Sequence, residues 1–308
     1  MTKGKAFEIL VKRILLNIGF TEINSDGLYI FDGTAGQMIQ GLGEAHNADV
    51  LLQPPVQIPF YTPSRILIEC KDYTRKVGLN TLRSALGLRE DINNFEVVDF
   101  DVMRRRRANN RRSRPIYSYD RYYYQVAVAS MSGFTSQAQE FALTHRISLI
   151  SFTDMPFWED YINRFCFSRL CGRNRTEISV EETVALADAI GKDMAVAITA
   201  TGQMLFLYSQ NKELFFDDLY TLHWADRNSL WQLRTGKNNY LFQLPEKIRE
   251  AWLDNLNGND LRENAINCKA KFLSNMVVYY FEGYKPTIKM ISINSWALEE
   301  AKKNLYRR

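Results

Sequence analysis

The sequence predicts an α/β chain: a mixed β-sheet flanked by helices over residues 1–154, followed by a second α+β domain over residues 155–308. Three observations predict it. Helix-period and strand-period segments alternate in the first half. The strands there are short apolar runs of the kind that both faces of a covered sheet require. After residue 154 the pattern changes to a capped helix followed by a hairpin.

The elements follow in order. Residues 5–18 set Phe7, Leu10, Val11, Ile14, Leu15 and Ile18 on one helical face, with Gly19 as the stop. Residues 28–31 and 48–53 read as strands. Pro54, Pro55, Pro59 and Pro63 then impose a loop, because a proline cannot donate to a sheet ladder. The strand Arg65–Tyr73 comes next, then a helix over 79–95. Tyr122–Ser130 is a β-branched and aromatic strand, Phe134–Arg146 a helix, and Ile147–Phe152 a short buried strand. In the second half, Ser179-Val-Glu-Glu182 opens a helix that runs to about residue 190. Thr201-Gly202 joins strands 194–200 and 203–208, and helices are expected over 245–256 and 260–281.

Composition is that of a globular protein, with 46% hydrophobic and 24% charged residues. No apolar run is long enough to span a bilayer, and the N-terminal residues lack a secretory pattern, so a cytoplasmic protein without membrane partners is expected. The four cysteines Cys70, Cys166, Cys171 and Cys268 form no disulfide or zinc framework and read as reduced thiols. Net charge is +4, yet the segment 103–115 alone holds seven arginines: Arg104, Arg105, Arg106, Arg107, Arg111, Arg112 and Arg114. Removing them would leave −3. A guanidinium fork bonds phosphate oxygens bidentately, so this segment is the expected nucleic-acid contact. A solvated loop is the alternative. Tyr117, Tyr119 and Tyr122–Tyr124 follow it and suit either base stacking or strand packing.

The chemistry concentrates in R-I-L-I-E-C-K-D-Y, residues 65–73. Residues i and i+2 of a strand share a face, so Glu69 and Lys71 project together while Cys70 turns into packing. Asp49 ends the preceding strand. If the two strands are neighbours, Asp49 and Glu69 converge at one end of the sheet. Two such carboxylates suit a hard divalent cation, and a lysine beside them can orient or deprotonate an attacking water and offset phosphate charge. His46, three residues before Asp49, borders this region. Ser130, Ser132 and Thr135 lie where strand meets helix, where hydroxyls and free amides can hold a phosphate or cap the helix.

These motifs, in this order, resemble the PD-(D/E)XK nuclease superfamily and within it the Mrr-like restriction endonucleases. The resemblance covers roughly residues 4–152. It rests on GKAFEILVKRILLNIGF in the first helix, NADVLL, ILIECKDY, and VAVASMSGFTSQAQEFA followed by HRISLI. It implies a restriction-endonuclease-like fold and metal-dependent DNA cleavage, in restriction or anti-phage defence. Asp49 and Glu69 would be ligands of Mg²⁺ (or Mn²⁺), joined by the Cys70 backbone carbonyl. Lys71 would be the catalytic lysine and Glu8 the assisting acid of the first helix. The proline-rich and arginine-rich insertions exceed what the family's core needs. A homodimer or a partner subunit of a defence system is expected. Two alternatives stand beside this reading: a nuclease-fold DNA-binding assembly subunit, and an RNA-cutting effector.

Overall fold

The computed structural model describes residues 3–26, 29–34, 36–59, 61–94, 121–152, 155, 158–159, 179–211, 214–216, 220–224, 230–253 and 259–306. Among these residues the chain is a mixed α/β protein with three sheets. The arginine-rich segment, Tyr117, Tyr119, Cys166 and Cys171 lie outside the described residues.

Helix α1 (Lys3–Asn17) forms because its apolar residues recur at helical spacing; Phe7, Leu10, Val11, Ile14 and Leu15 are all buried. It stops at Gly19, whose φ of 108° is left-handed. The Gly19 amide donates to the Leu16 carbonyl and the Phe20 amide to the Leu15 carbonyl, the paired bonds of a Schellman cap. A Cβ on Gly19 would come within 3.3 Å of Phe281 and Pro286, so the tight turn also allows close packing with the second half of the chain.

The first sheet has five strands in the order β1-β5-β6-β7-β8. These are β1 (Thr21–Glu22), β5 (Val50–Gln53), β6 (Ser64–Lys71), β7 (Tyr123–Ser130) and β8 (Ser148–Ser151). β5 runs antiparallel to β6, whereas β6, β7 and β8 are parallel. Parallel neighbours need crossovers, and α2 (Leu79–Asn93) and α3 (Ser136–His145) lie between them in sequence. Alternation along β6 sends Ile66, Ile68 and Cys70 toward the cluster that contains α1. Leu67 packs in the opposite cluster with α2 and α3. A small separate sheet of β2 (Ile30–Gly33), β3 (Gly36–Gln40) and β4 (Ala45–Asn47) precedes β5.

The second half builds a seven-stranded antiparallel sheet, β11-β12-β13-β10-β9-β14-β15. Helix α4 (Val180–Lys192) opens it, capped by the Ser179 hydroxyl, which accepts from the Glu182 amide as the sequence predicts. β9 (Met194–Thr199) and β10 (Met204–Ser209) form the expected hairpin around Gly202, φ 82°. β11 (Tyr220–Trp224), β12 (Leu230–Thr235) and β13 (Asn239–Gln243) extend one side, and α5 (Glu246–Leu253) follows. The helix expected over 260–281 is corrected. Helix α6 (Asn259–Cys268) ends in one π turn, and Asn275–Glu282 is strand β14, paired with β15 (Lys285–Ser292). The run Met276-Val-Val-Tyr-Tyr-Phe281 is β-branched and aromatic, and it suits a pleated, half-buried surface better than a helix. Helix α7 (Ser295–Tyr306) closes the described chain.

The two sheets share one core. The cluster around Phe7, Leu10 and Ile14 of α1 includes Ile66 and Ile68 of β6 together with Leu186 and Ile190 of α4. Val196, Phe206 and Tyr279 of the second sheet complete it. α1 is therefore sandwiched between the halves. Its crossing with α4 is close, since a Cβ on Gly191 would lie 2.5 Å from Cβ of Asn17. An ion pair seals this contact: Arg13 Nε donates to Asp188 Oδ1 at 2.7 Å and Asn17 Nδ2 to the same oxygen at 2.8 Å.

The Arg13 hydrogen bond outweighs partial burial and, with help from Asn17, holds the Asp188 carboxyl below its ordinary value. A depressed carboxyl contributes stability above the unfolded value of about 3.9, and that contribution is lost as pH falls through the folded value. Asp188→Asn is accordingly expected to lower the melting temperature slightly at pH 7. The partly exposed pair is worth at most about 1 kcal/mol. The gap between the two melting temperatures should narrow as pH is lowered from 7 toward 3; a gap that stays constant or widens would contradict the assignment.

Candidate active site

β5 and β6 pair with Val50 opposite Ile68, so one step outward sets Asp49 opposite Glu69 at the sheet end. Lys71, two residues beyond Glu69, projects from the same face. Its Nζ lies 2.7 Å from Glu69 Oε2 and 3.9 Å from Asp49 Oδ2. The three side chains are 14% (Asp49), 19% (Glu69) and 22% (Lys71) exposed, enough to meet a ligand yet low enough for their fields to be strong. Asp49 is held by two donors: the Cys70 amide reaches Oδ2 at 2.9 Å and Asn47 Nδ2 reaches Oδ1 at 3.2 Å. The register thus unites the three residues that the sequence singled out.

Burial works against the Lys71 charge. The Glu69 hydrogen bond and the fields of Glu69 and Asp49 outweigh it, and the pKa is raised, so Lys71 stands as an ammonium. The Cys70 thiol is pushed well up, first by burial and then by the fields of Asp49, Glu8 and Glu69. It is a packing residue rather than a nucleophile, because only a thiolate attacks.

Glu8 and Asp49 line one cleft of about 180 Å³ with Lys5, Lys12 and Asn47. Glu8 is held by Lys5 at 2.6 Å, and Lys12 pairs with Glu22 at 2.9 Å. Glu69 and Lys71 do not line this cleft; they join it only through Asp49. Asn47 and Lys5 were missed in the sequence. Their signals were present: Asn47 stands at i−2 from Asp49 on an extended segment, and Lys5 at i−3 from Glu8 on a helix.

Among the described residues, no group of three or more His, Cys, Asp or Glu is arranged to hold a metal ion. The Lys71 ammonium bonds Glu69 Oε2 at 2.7 Å. In kind the donors fit a hard divalent cation, which takes one or two protein carboxylates and keeps several waters. A bound cation would have to share or displace that ammonium.

The remaining expected site residues fall elsewhere. His46 bonds Asp91 of α2 at 2.7 Å, which fixes the β4 turn rather than the carboxylate site. Ser130 is fully buried and its hydroxyl donates to the Gly133 carbonyl. Ser132 donates to the Arg75 carbonyl at 2.6 Å, and Thr135 caps α3 by accepting from the Ala138 amide. Ser130 and Thr135 serve the turn between β7 and α3, and Ser132 ties that turn to the loop between β6 and α2. Arg104–Arg107, Arg111, Arg112 and Arg114 lie outside the described residues.

No family model matches the sequence, and no curated protein does. Among solved structures, a crystal structure of a protein of unknown function, AF1548, is similar at 14% identity. The match covers 61% of this chain and 97% of that one, with a TM-score of 0.30.

Proposed function

We propose that this chain is a Mg²⁺-dependent DNA endonuclease with a restriction-endonuclease-like catalytic half, acting in restriction or anti-phage defence. One observation carries the reading: Asp49 and Glu69 meet across β5 and β6 at one sheet end, with Lys71 bridging them at 3.9 and 2.7 Å. Asp49 and Glu69 would hold the cation, with the Cys70 carbonyl completing the protein ligands. A bound Mg²⁺ supplies charge stabilisation for the phosphodiester and lowers the pKa of its water. Lys71, kept as an ammonium, offsets phosphate charge and orients the attacking water through its remaining N–H donors. Glu8 lines one cleft with Asp49 and would be the first-helix acid that assists the metal site. DNA, rather than RNA, follows from the resemblance of residues 4–152; the carboxylate site itself would accept either phosphodiester.

The test uses the full chain with supercoiled plasmid, single-stranded DNA and RNA, each with Mg²⁺ and with EDTA. Cleavage of plasmid in Mg²⁺ and none in EDTA is expected. Cleavage of RNA alone would establish the RNA-cutting alternative. Cleavage equal in EDTA would remove the metal from the account.

A further inference from the structure

A second site stands apart from the carboxylates, in the core that the two sheets share. There the packing leaves a cavity of about 350 Å³. Ile66 and Ala127 of the first sheet form one wall, and Ile198, Val277 and Tyr279 of the second form the other. A volume of this size is at the scale of small-molecule sites, which are mostly apolar with a few placed polar groups. Arg146 is the single charged residue among those that line it. It is exposed, so it stands where the cavity meets solvent, and Gln125 stands there with it. Neither side chain has a hydrogen-bond or ion-pair partner among the described residues, and no carboxylate lines the cavity to balance the guanidinium. Arg146 also carries the one left-handed non-glycine backbone among the described residues, φ 54°, as the cap of α3. As the cap of α3, Arg146 has its charge favoured by the helix C-terminus, while its exposed guanidinium remains open to an anion at the cavity mouth.

We infer that this cavity binds a small amphipathic acid, its apolar body between the two sheets and its anionic group on Arg146 and Gln125. The facing walls are apolar, so enclosing an apolar body between them removes apolar surface from water, a favourable step. A guanidinium prefers an oxyanion with two acceptor oxygens, such as a carboxylate, sulfonate or phosphate. The site lies at the Ile66 end of β6, whereas Glu69 and Lys71 occupy the other end, so it is separate from the proposed cation site and stands whether or not that reading holds.

Anilinonaphthalene sulfonate matches this chemistry, with an aromatic body and one anionic group. Titrated into the full chain, it is expected to bind saturably at one site, with an affinity on the order of 10 µM. Val277→Trp fills the cavity from a half-buried position and should abolish that binding. Arg146→Asn keeps the backbone conformation while removing the charge, and should weaken it about tenfold. The neutral analogue phenylnaphthylamine should be indifferent to Arg146→Asn. Circular dichroism melts identify any variant that has lost its fold; if Val277→Trp does not fold, Arg146→Asn with the two probes decides. Non-saturable binding, or an affinity unchanged in a folded Val277→Trp or in Arg146→Asn, overturns the inference.

Discussion

Asp49→Asn is expected to reduce Mg²⁺-dependent cleavage by at least about 10²-fold, the scale on which loss of a single charge-stabilising group is felt. Asn is the informative replacement. Asp49 Oδ2 accepts the Cys70 amide, and alanine would leave that amide without its acceptor at a cost of about 1–3 kcal/mol. Asn keeps an acceptor oxygen and a similar shape while removing the charge, so folding and chemistry separate. Lys71→Met makes the complementary test. It keeps the stem and removes the ammonium that now sits 2.7 Å from Glu69. Cleavage should fall on the same scale, while cation binding should persist or strengthen because the competing charge is gone. Full cleavage by either folded variant would exclude that residue from the reaction.

The second large effect concerns the joint between the halves. Phe7 is 1% exposed and meets Phe152 edge to face at 5.3 Å; Phe152 in turn meets Trp158 at 5.2 Å and Phe206 of the second sheet at 6.3 Å. Phe7→Ala removes the α1 ring from the end of this aromatic chain, at a position buried in the shared core, and is expected to cost roughly 3–5 kcal/mol. The melting temperature should fall by about 10 °C. The transition should remain single, because α1 belongs to the cores of both sheets. Two separate calorimetric transitions, only one of them moved by the substitution, would show that the halves are independent.

How much of this was legible in the sequence depends on whether local pattern or distant packing decides each element. α1 was legible because its apolar face repeats at helical spacing, and the proline-rich stretch was legible because prolines cannot join a ladder. β14 was misread because the helical segment was extended across Ser274-Asn275, whereas the aromatic and β-branched content of Met276–Phe281 marks the change to strand. β15 escaped notice because Pro286 argues against a strand; it is tolerated there on the sheet edge. The sharing of one core by α1 and α4 is a long-range fact with no local signal.

The candidate site divides in the same way. Glu69 and Lys71 were legible as a pair because strand alternation is a local rule. Their meeting with Asp49 depended on β5 and β6 being neighbours, and the observed register supplies that. The support that Asn47 gives Asp49, and the separation of Glu69 from the Glu8 cleft, arise from how the strand end meets α1, which no spacing in the sequence expresses. Ser130, Ser132 and Thr135 illustrate the opposite error. Hydroxyls at a strand–helix turn resemble a phosphate cradle, yet here each satisfies a backbone group, Ser130 and Thr135 within the turn and Ser132 at Arg75 of the neighbouring loop.

Binding of Mn²⁺, followed by calorimetry and by the loss of the free-ion electron paramagnetic resonance signal, tests the cation site without requiring a substrate or an activator. The full chain should bind Mn²⁺, Mg²⁺ should displace it, Asp49→Asn should lose it, and Lys71→Met should retain it. Binding to Asp49→Asn as tight as to the unsubstituted protein would contradict the assignment of Asp49 and Glu69 as its ligands.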